Sequence, residues 1–164
     1  MILLNHMRYL KDIKNIKGKR VVLRVDFNTP MVGKKIMDDT KIKAALPTFQ
    51  WLVKQGARVA LISHLTQKSK NPKIQKSKNT LAPVAKHLAK LLGQPVKFIP
   101  DCVGPKAQKA VSLLKDGELI LLENLRLHPE EEKNDLVFAQ ELARFGEVYV
   151  NDAFGVCHRA HASL

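Results

Sequence analysis

The sequence predicts an α/β domain in which a parallel sheet is covered by helices on both faces, and three observations lead there. Five compact runs rich in leucine and β-branched residues, at 20–25, 58–63, 96–99, 118–122 and 147–150, read as buried strands. The stretches between them carry helical spacing and helix-ending residues. The length of 164 residues, 45% of them hydrophobic, is that of one domain with a sizeable core.

Taken in order, the run at 20–25 ends in Asp26 and Asn28, polar residues placed where a strand stops. Ile42, Leu46, Phe49 and Val53 then follow i, i+4, i+7, i+11, with Asp38, Asp39 and Thr40 supplying acidic and capping groups at the helix start. Pro47 falls inside this helix, where a bend is expected. His64 closes the second strand. Thr80 precedes Val84, Leu88, Leu91 and Leu92, the stripe of a second helix. Pro105 opens and Gly117 closes a third, carrying Ala107, Ala110, Val111 and Leu114. Asn134 and Gly146 bracket a fourth with Phe138, Leu142 and Phe145. The run Glu130, Glu131 and Glu132 reads as a solvated face or the approach to a helix. Alternating strands and helices give a three-layer, Rossmann-like arrangement in a single domain over 1–164.

In such sheets ligands bind beyond the carboxyl ends of the strands. Asp26 and Asn28, His64, Arg126, and then Asn151, Asp152 and Arg159 all follow strands and are expected on one rim. A net charge of +13 and a pI near 9.9 imply a field that attracts anions: phosphorylated metabolites, nucleic acid or an acidic surface. The two cysteines, Cys102 and Cys157, lie far apart without metal-ligand spacing, so neither a disulfide framework nor a metal is assigned. His158 and His161 beside Cys157 do not change this, because the other cysteine is distant. No apolar run reaches the roughly 18 residues of a membrane span, and the start at residues 1–4 is too short for a signal peptide. A cytoplasmic protein is expected, with Met7 equally able to serve as its start. Residues 66–80 hold five lysines and no acid, with QKSKN occurring twice, and read as a solvated insertion. Neither GxGxxG nor GxxxxGK[ST] occurs, so nothing announces a nucleotide-phosphate cradle.

Four separated segments, RVDFN at 24–28, SHL at 63–65, LLENLRLHPEEEKN at 121–134 and YVNDAFGVCHRAHAS at 149–163, resemble phosphoglycerate kinase, and the likeness runs from about residue 7 to 164. The resemblance implies the N-terminal, substrate-binding domain of a two-domain enzyme, cut or encoded without its C-terminal nucleotide-binding domain. Ending on Ala162, Ser163 and Leu164 directly after a site segment fits that expectation. It further implies that Asp26 and Asn28 hydrogen-bond the hydroxyl and carboxylate of 3-phosphoglycerate, while His64, Arg126 and Arg159 hold its phosphate. The reaction implied is transfer between ATP and 3-phosphoglycerate to give 1,3-bisphosphoglycerate and ADP, with Mg2+ and ATP or ADP bound mainly by the other domain. This chain alone is expected to be inert. Two positions depart from the family's pattern. Lys41 stands where an arginine is thought to stabilise the moving phosphoryl group, so it is the catalytic candidate with the charge kept and the planar fork lost. Gln67 stands where a phosphate-contacting arginine belongs, and one lost charge-assisted contact costs about 1.5 to 3 kcal/mol. A rival reading has these departures and the basic insertion redirecting the rim to RNA or another polyanion.

Overall fold

A computed structural model of the chain describes residues 9–66 and 79–164. In chain order its elements are β1 (Arg20–Val25), β2 (Met31–Val32), β3 (Lys35–Ile36), α1 (Thr40–Lys54), β4 (Arg58–Ser63), α2 (Ala82–Leu92), β5 (Lys97–Ile99), α3 (Gly104–Ser112), β6 (Leu119–Leu122), α4 (Pro129–Glu132), α5 (Leu136–Ala143) and β7 (Val148–Asn151). The five predicted strands form one sheet in the order β5-β6-β4-β1-β7. Every neighbouring pair is parallel, with Val21 beside Val59 and Val148, and Ala60 beside Ile120. The α/β class and the helix-covered parallel sheet are therefore as the sequence predicts.

Strand period decides which residue faces which layer. Val21, Leu23, Val25, Val59, Leu61, Leu119 and Leu121 join Ile42, Phe49 and Leu52 of α1 and Val84 and Leu88 of α2 in one core. Val22, Ala60, Ile62, Ile120 and Leu122 join Ala107 and Val111 of α3 and Phe138 and Leu142 of α5 in the other. Fully burying a side chain such as Phe49 or Leu52 stabilises the fold by about 1.5 to 3 kcal/mol. Helices leaving β1 and β4 thus cover one face, and those leaving β5 and β6 the other. The switch falls between β4 and β6, and the crevice beyond their carboxyl ends is where such a sheet binds ligands.

Several local readings are corrected. The buried stripe of α1 is Ile42, Ala45, Phe49 and Leu52, with Leu46 and Val53 half-buried, and the helix continues through Pro47. Asp135, not Asn134, caps α5, its side chain accepting from Phe138 N at 2.8 Å, while Asn134 takes a left-handed φ of 53° that ends the preceding turn. Glu131 is not on a solvated face but fully buried. The β2–β3 hairpin was not foreseen; its strands are two residues each, and Gly33 supplies the positive φ of 61° in the turn.

Gly146 sits against β1 so closely that a Cβ there would lie 2.8 Å from Val22 Cγ2 and 2.9 Å from Val22 N. Because a backbone atom cannot step aside, Gly146→Ala is expected to destabilise the fold by about 1–3 kcal/mol. A urea unfolding midpoint unchanged from wild type would contradict that packing.

Candidate functional site

The crevice at the switch is held by side chains that span strand ends. Asn124, fully buried, lies just beyond β6; its Oδ1 accepts from Leu65 N at 2.9 Å and Arg126 N at 3.0 Å, and its Nδ2 donates to Leu65 O and Asn79 O, both at 2.7 Å. Its whole hydrogen-bonding capacity is spent on joining the loop after β4 to the loop after β6. Glu123 accepts from Thr80 Oγ1 at 2.7 Å and Leu81 N at 2.8 Å, which ties the start of α2 to the same point. Ser63 closes the seam between β1 and β4, accepting from Phe27 N at 2.9 Å and donating to Val25 O at 2.8 Å.

On this frame the predicted residues converge at one rim, with qualifications at two of them. Asp26 Oδ1 accepts from Asn28 N at 3.0 Å, and Asn28 Oδ1 accepts from Thr66 N at 3.0 Å, which orients the Asn28 carboxamide and leaves its NH2 without a partner among the described residues. Lys41, exposed on α1, reaches Asp26 Oδ2 at 2.8 Å, so two predicted site residues pair with each other. Arg126 is mostly buried, engages Glu132 and donates through Nη2 to His161 Nδ1 at 3.2 Å, leaving a buried Nε without a partner among the described residues. Arg159 is exposed, close enough to Arg126 for their charges to repel. Gln67 and nearly all of the basic insertion lie outside the described residues. Asp152, expected on the rim, turns toward Thr48 of α1, and its Oδ2 is buried without a partner among the described residues; burial raises its carboxyl proton affinity and the Thr48 hydrogen bond opposes that.

Beneath the rim lies a buried polar layer the sequence reading did not single out. Arg24, flanked in its strand by Val21, Val22, Leu23 and Val25, is 0% exposed. It donates through Nε to Ser163 Oγ at 3.0 Å, through Nη1 to Val25 O at 2.5 Å and through Nη2 to His64 Nδ1 at 3.0 Å. A guanidinium only donates, so His64 Nδ1 accepts and its proton sits on Nε2; the same argument places the His161 proton on Nε2. Burial, then the Arg24 charge, pushes His64 down to about 3, and burial with Arg126 lowers His161. Both imidazoles are therefore neutral donors at neutral pH. The signal that could have found Arg24 was available: a charge amid a both-faces-buried strand has to be paired.

Depressed histidines fix the sign of a pH effect. In the unfolded chain His64 takes up a proton below about 6.5, whereas the folded chain resists until about 3. The unfolded state then binds more protons, so stability is lost as pH falls through that window, by about 2 kcal/mol between pH 7 and pH 5 for one such histidine. Denaturant titrations should show this loss and show it reduced in His64→Gln; an identical slope in the variant would place the linkage elsewhere.

The rim thus gathers Arg126, Arg159 and Lys41 with two imidazole N–H donors over buried Arg24, against two carboxylates in contact with these cations among the described residues, Asp26 on Lys41 and Glu132 on Arg126. Such a set suits an anion carrying a phosphate and a second polar end. A separate trio, Asp101, Cys102 and His128, brings one potential metal-ligand atom each to within 4.8 Å of the others. The Asp101 carboxylate there already accepts from Cys102 N at 2.8 Å and Val103 N at 3.4 Å ahead of α3, and burial keeps the Cys102 thiol protonated. Cys102 is buried and Cys157 exposed, and both are free thiols. Among the described residues no helix is long and apolar enough to cross a membrane.

The family model for phosphoglycerate kinase matches residues 10–164. A phosphoglycerate kinase of Moorella thermoacetica is 54% identical over 155 residues, covering 94% of this chain and 38% of that protein. One of Synechococcus sp. (strain JA-3-3Ab) is 53% identical over 156 residues, with 91% and 38% covered. In structure the chain is similar to phosphoglycerate kinase from Pyrococcus horikoshii OT3, with a TM-score of 0.85 and 36% identity over 96% of this chain and 39% of that one. It is also similar to that of Coxiella burnetii, with a TM-score of 0.78 and 36% identity. The chain spans about 38% of the length of the curated relatives it matches.

Proposed function

Because the chain belongs to the phosphoglycerate kinase family, we propose that it supplies the 3-phosphoglycerate site of an enzyme exchanging a phosphoryl group between ATP and 3-phosphoglycerate in the cytoplasm. The observation that carries this reading is the convergence of Arg126, Arg159, His64, Asp26, Asn28 and Lys41 on one rim at the switch of the sheet. Arg126 and Arg159 take the phosphate, with the His64 Nε2–H as a neutral third donor. Asp26 and the Asn28 carboxamide orient the hydroxyl and carboxylate at the other end. Fixing both ends holds the reactive carboxylate in place, and phosphoryl transfer needs positioning and electrostatic stabilisation more than covalent chemistry.

Lys41 stands beside Asp26, where a cation would stabilise the transferring group. Its exposed ion pair contributes about 0.2–1 kcal/mol, so releasing Asp26 to the substrate costs little. Mg2+ with ATP or ADP would supply charge neutralisation of the transferring phosphate when bound; the cationic rim does not offer a carboxylate set for that metal, and we assign the nucleotide to the length of the relatives that this chain does not span. Alone, the 164 residues are expected to bind 3-phosphoglycerate and to show no turnover in an assay coupled to nucleotide consumption. Turnover appears when the remaining length, taken from the Moorella thermoacetica relative, is fused behind Leu164. Turnover by the chain alone would show that the nucleotide site has been misplaced. A folded fusion that binds nucleotide yet transfers nothing would contradict the assigned reaction.

A further inference from the structure

Resting on that reading of the rim as an anion site, we infer that Glu131 is the positioning residue that holds its separate segments in register. Glu131 lies in α4, five residues after Arg126, and is fully buried. Its backbone carbonyl accepts from Ala162 N at 3.0 Å. Its carboxylate accepts from Ser163 N at 3.0 Å and from Ser163 Oγ at 2.6 Å. Three hydrogen bonds therefore clip the segment bearing Arg159 and His161 onto the segment bearing Arg126. Ser163 Oγ also accepts from Arg24 Nε, and Arg24 in turn donates to His64. Tyr149 Oη, from β7, donates to Ser163 O at 2.6 Å.

Through one serine, then, a single carboxylate joins the segments beyond β6 and β7 to the ends of β1 and β4. Glu131 also supplies negative charge beside a guanidinium that burial would otherwise penalise heavily. Charged hydrogen bonds of this kind are short and directional, so they fix position as well as charge. Glu131 does not reach the rim itself; its effect on a ligand passes through Arg24, His64, Arg159 and His161.

The test separates positioning from mere charge. Inorganic phosphate is titrated into wild type, Glu131→Gln and Glu130→Gln, reading the Arg24 and Arg126 side-chain Nε–H resonances. If acids near the rim act only through the general field, removing either one raises phosphate affinity. Positioning predicts the opposite sign for Glu131 alone: affinity falls about tenfold or more, the Arg24 Nε–H signal moves, and Glu130→Gln, an exposed neighbour in the same helix, binds as well as wild type or better. Phosphate binding in a folded Glu131→Gln that equals or exceeds wild type would overturn the inference. Should that variant fail to fold, Ser163→Ala decides: it removes the bridging hydroxyl without changing charge. Several-fold weaker binding with a displaced Arg24 Nε–H supports the clip, and unchanged binding overturns it. Selectivity between 3-phosphoglycerate and 2-phosphoglycerate in wild type is measured separately. A rim that loses phosphate in Glu131→Gln but shows no such selectivity leaves the clip standing and removes the assigned substrate.

Discussion

Asn124→Ala is expected to cost about 3–5 kcal/mol of stability, since four backbone groups of the strand-end loops lose their side-chain partner inside a site too buried for bulk water to replace it. For a chain of this size that corresponds to a fall of roughly 10 °C in Tm. Asparagine is hard to replace because it offers two donors and a double acceptor from one short side chain, and all are used. Aspartate keeps the acceptor toward Leu65 N and Arg126 N but loses the donations to Leu65 O and Asn79 O, and so is expected to recover only part of the loss. A calorimetric midpoint for Asn124→Ala within 2 °C of wild type would mean that the loops after β4 and β6 hold together without it.

Arg126→Ala should do the reverse, sparing the fold and removing the ligand. Its guanidinium is mostly buried, lowered in proton affinity by burial first, and its Nε has no partner among the described residues. The fold therefore gains little from it, and removal is expected to change unfolding free energy by less than about 1 kcal/mol. Affinity for 3-phosphoglycerate is expected to fall about a hundredfold, the equivalent of roughly 3 kcal/mol for one lost bidentate phosphate contact. Arg126→Lys keeps the charge without the fork and is expected to lie between. Binding by Arg126→Ala within threefold of wild type, measured by calorimetric titration, would move the phosphate away from this arginine.

The fold was legible because its signals are local. Strands buried on both faces, such as Leu119–Leu122, are continuous apolar runs, and period-2 alternation divides Val21 and Val22 between two cores without any knowledge of the partners. Helix register was less so: on α1 the stripe slid from Leu46 to Ala45 and from Val53 to Leu52, a small rotation that apolar spacing alone does not resolve when most of a helix's residues are apolar. At the site, strand-end residues such as Asp26, His64 and Arg126 could be placed because the topology rule sends every strand end to one rim. The residues that escaped are those acting at a distance in sequence. Glu131 lies within the resembling segment at 121–134 but was assigned no role there, and among three consecutive glutamates only the fold decides which one turns inward to Ser163, 32 positions later. Asn124 was hidden for the same reason, its partners lying 59 and 45 residues away.

If the strand-end rim is a selective site for a small phosphorylated carboxylate, titrating the chain with 3-phosphoglycerate tests it most directly. Amide and side-chain NMR shifts are followed, with 2-phosphoglycerate and inorganic phosphate run alongside. Saturable shifts are predicted at Asp26, Asn28, His64, Arg126 and Arg159, tighter for 3-phosphoglycerate than for either control. Equal, salt-suppressed shifts from all three ligands, spread over the lysine-rich surface and not centred on that rim, would contradict the selective site and describe a general polyanion-binding protein.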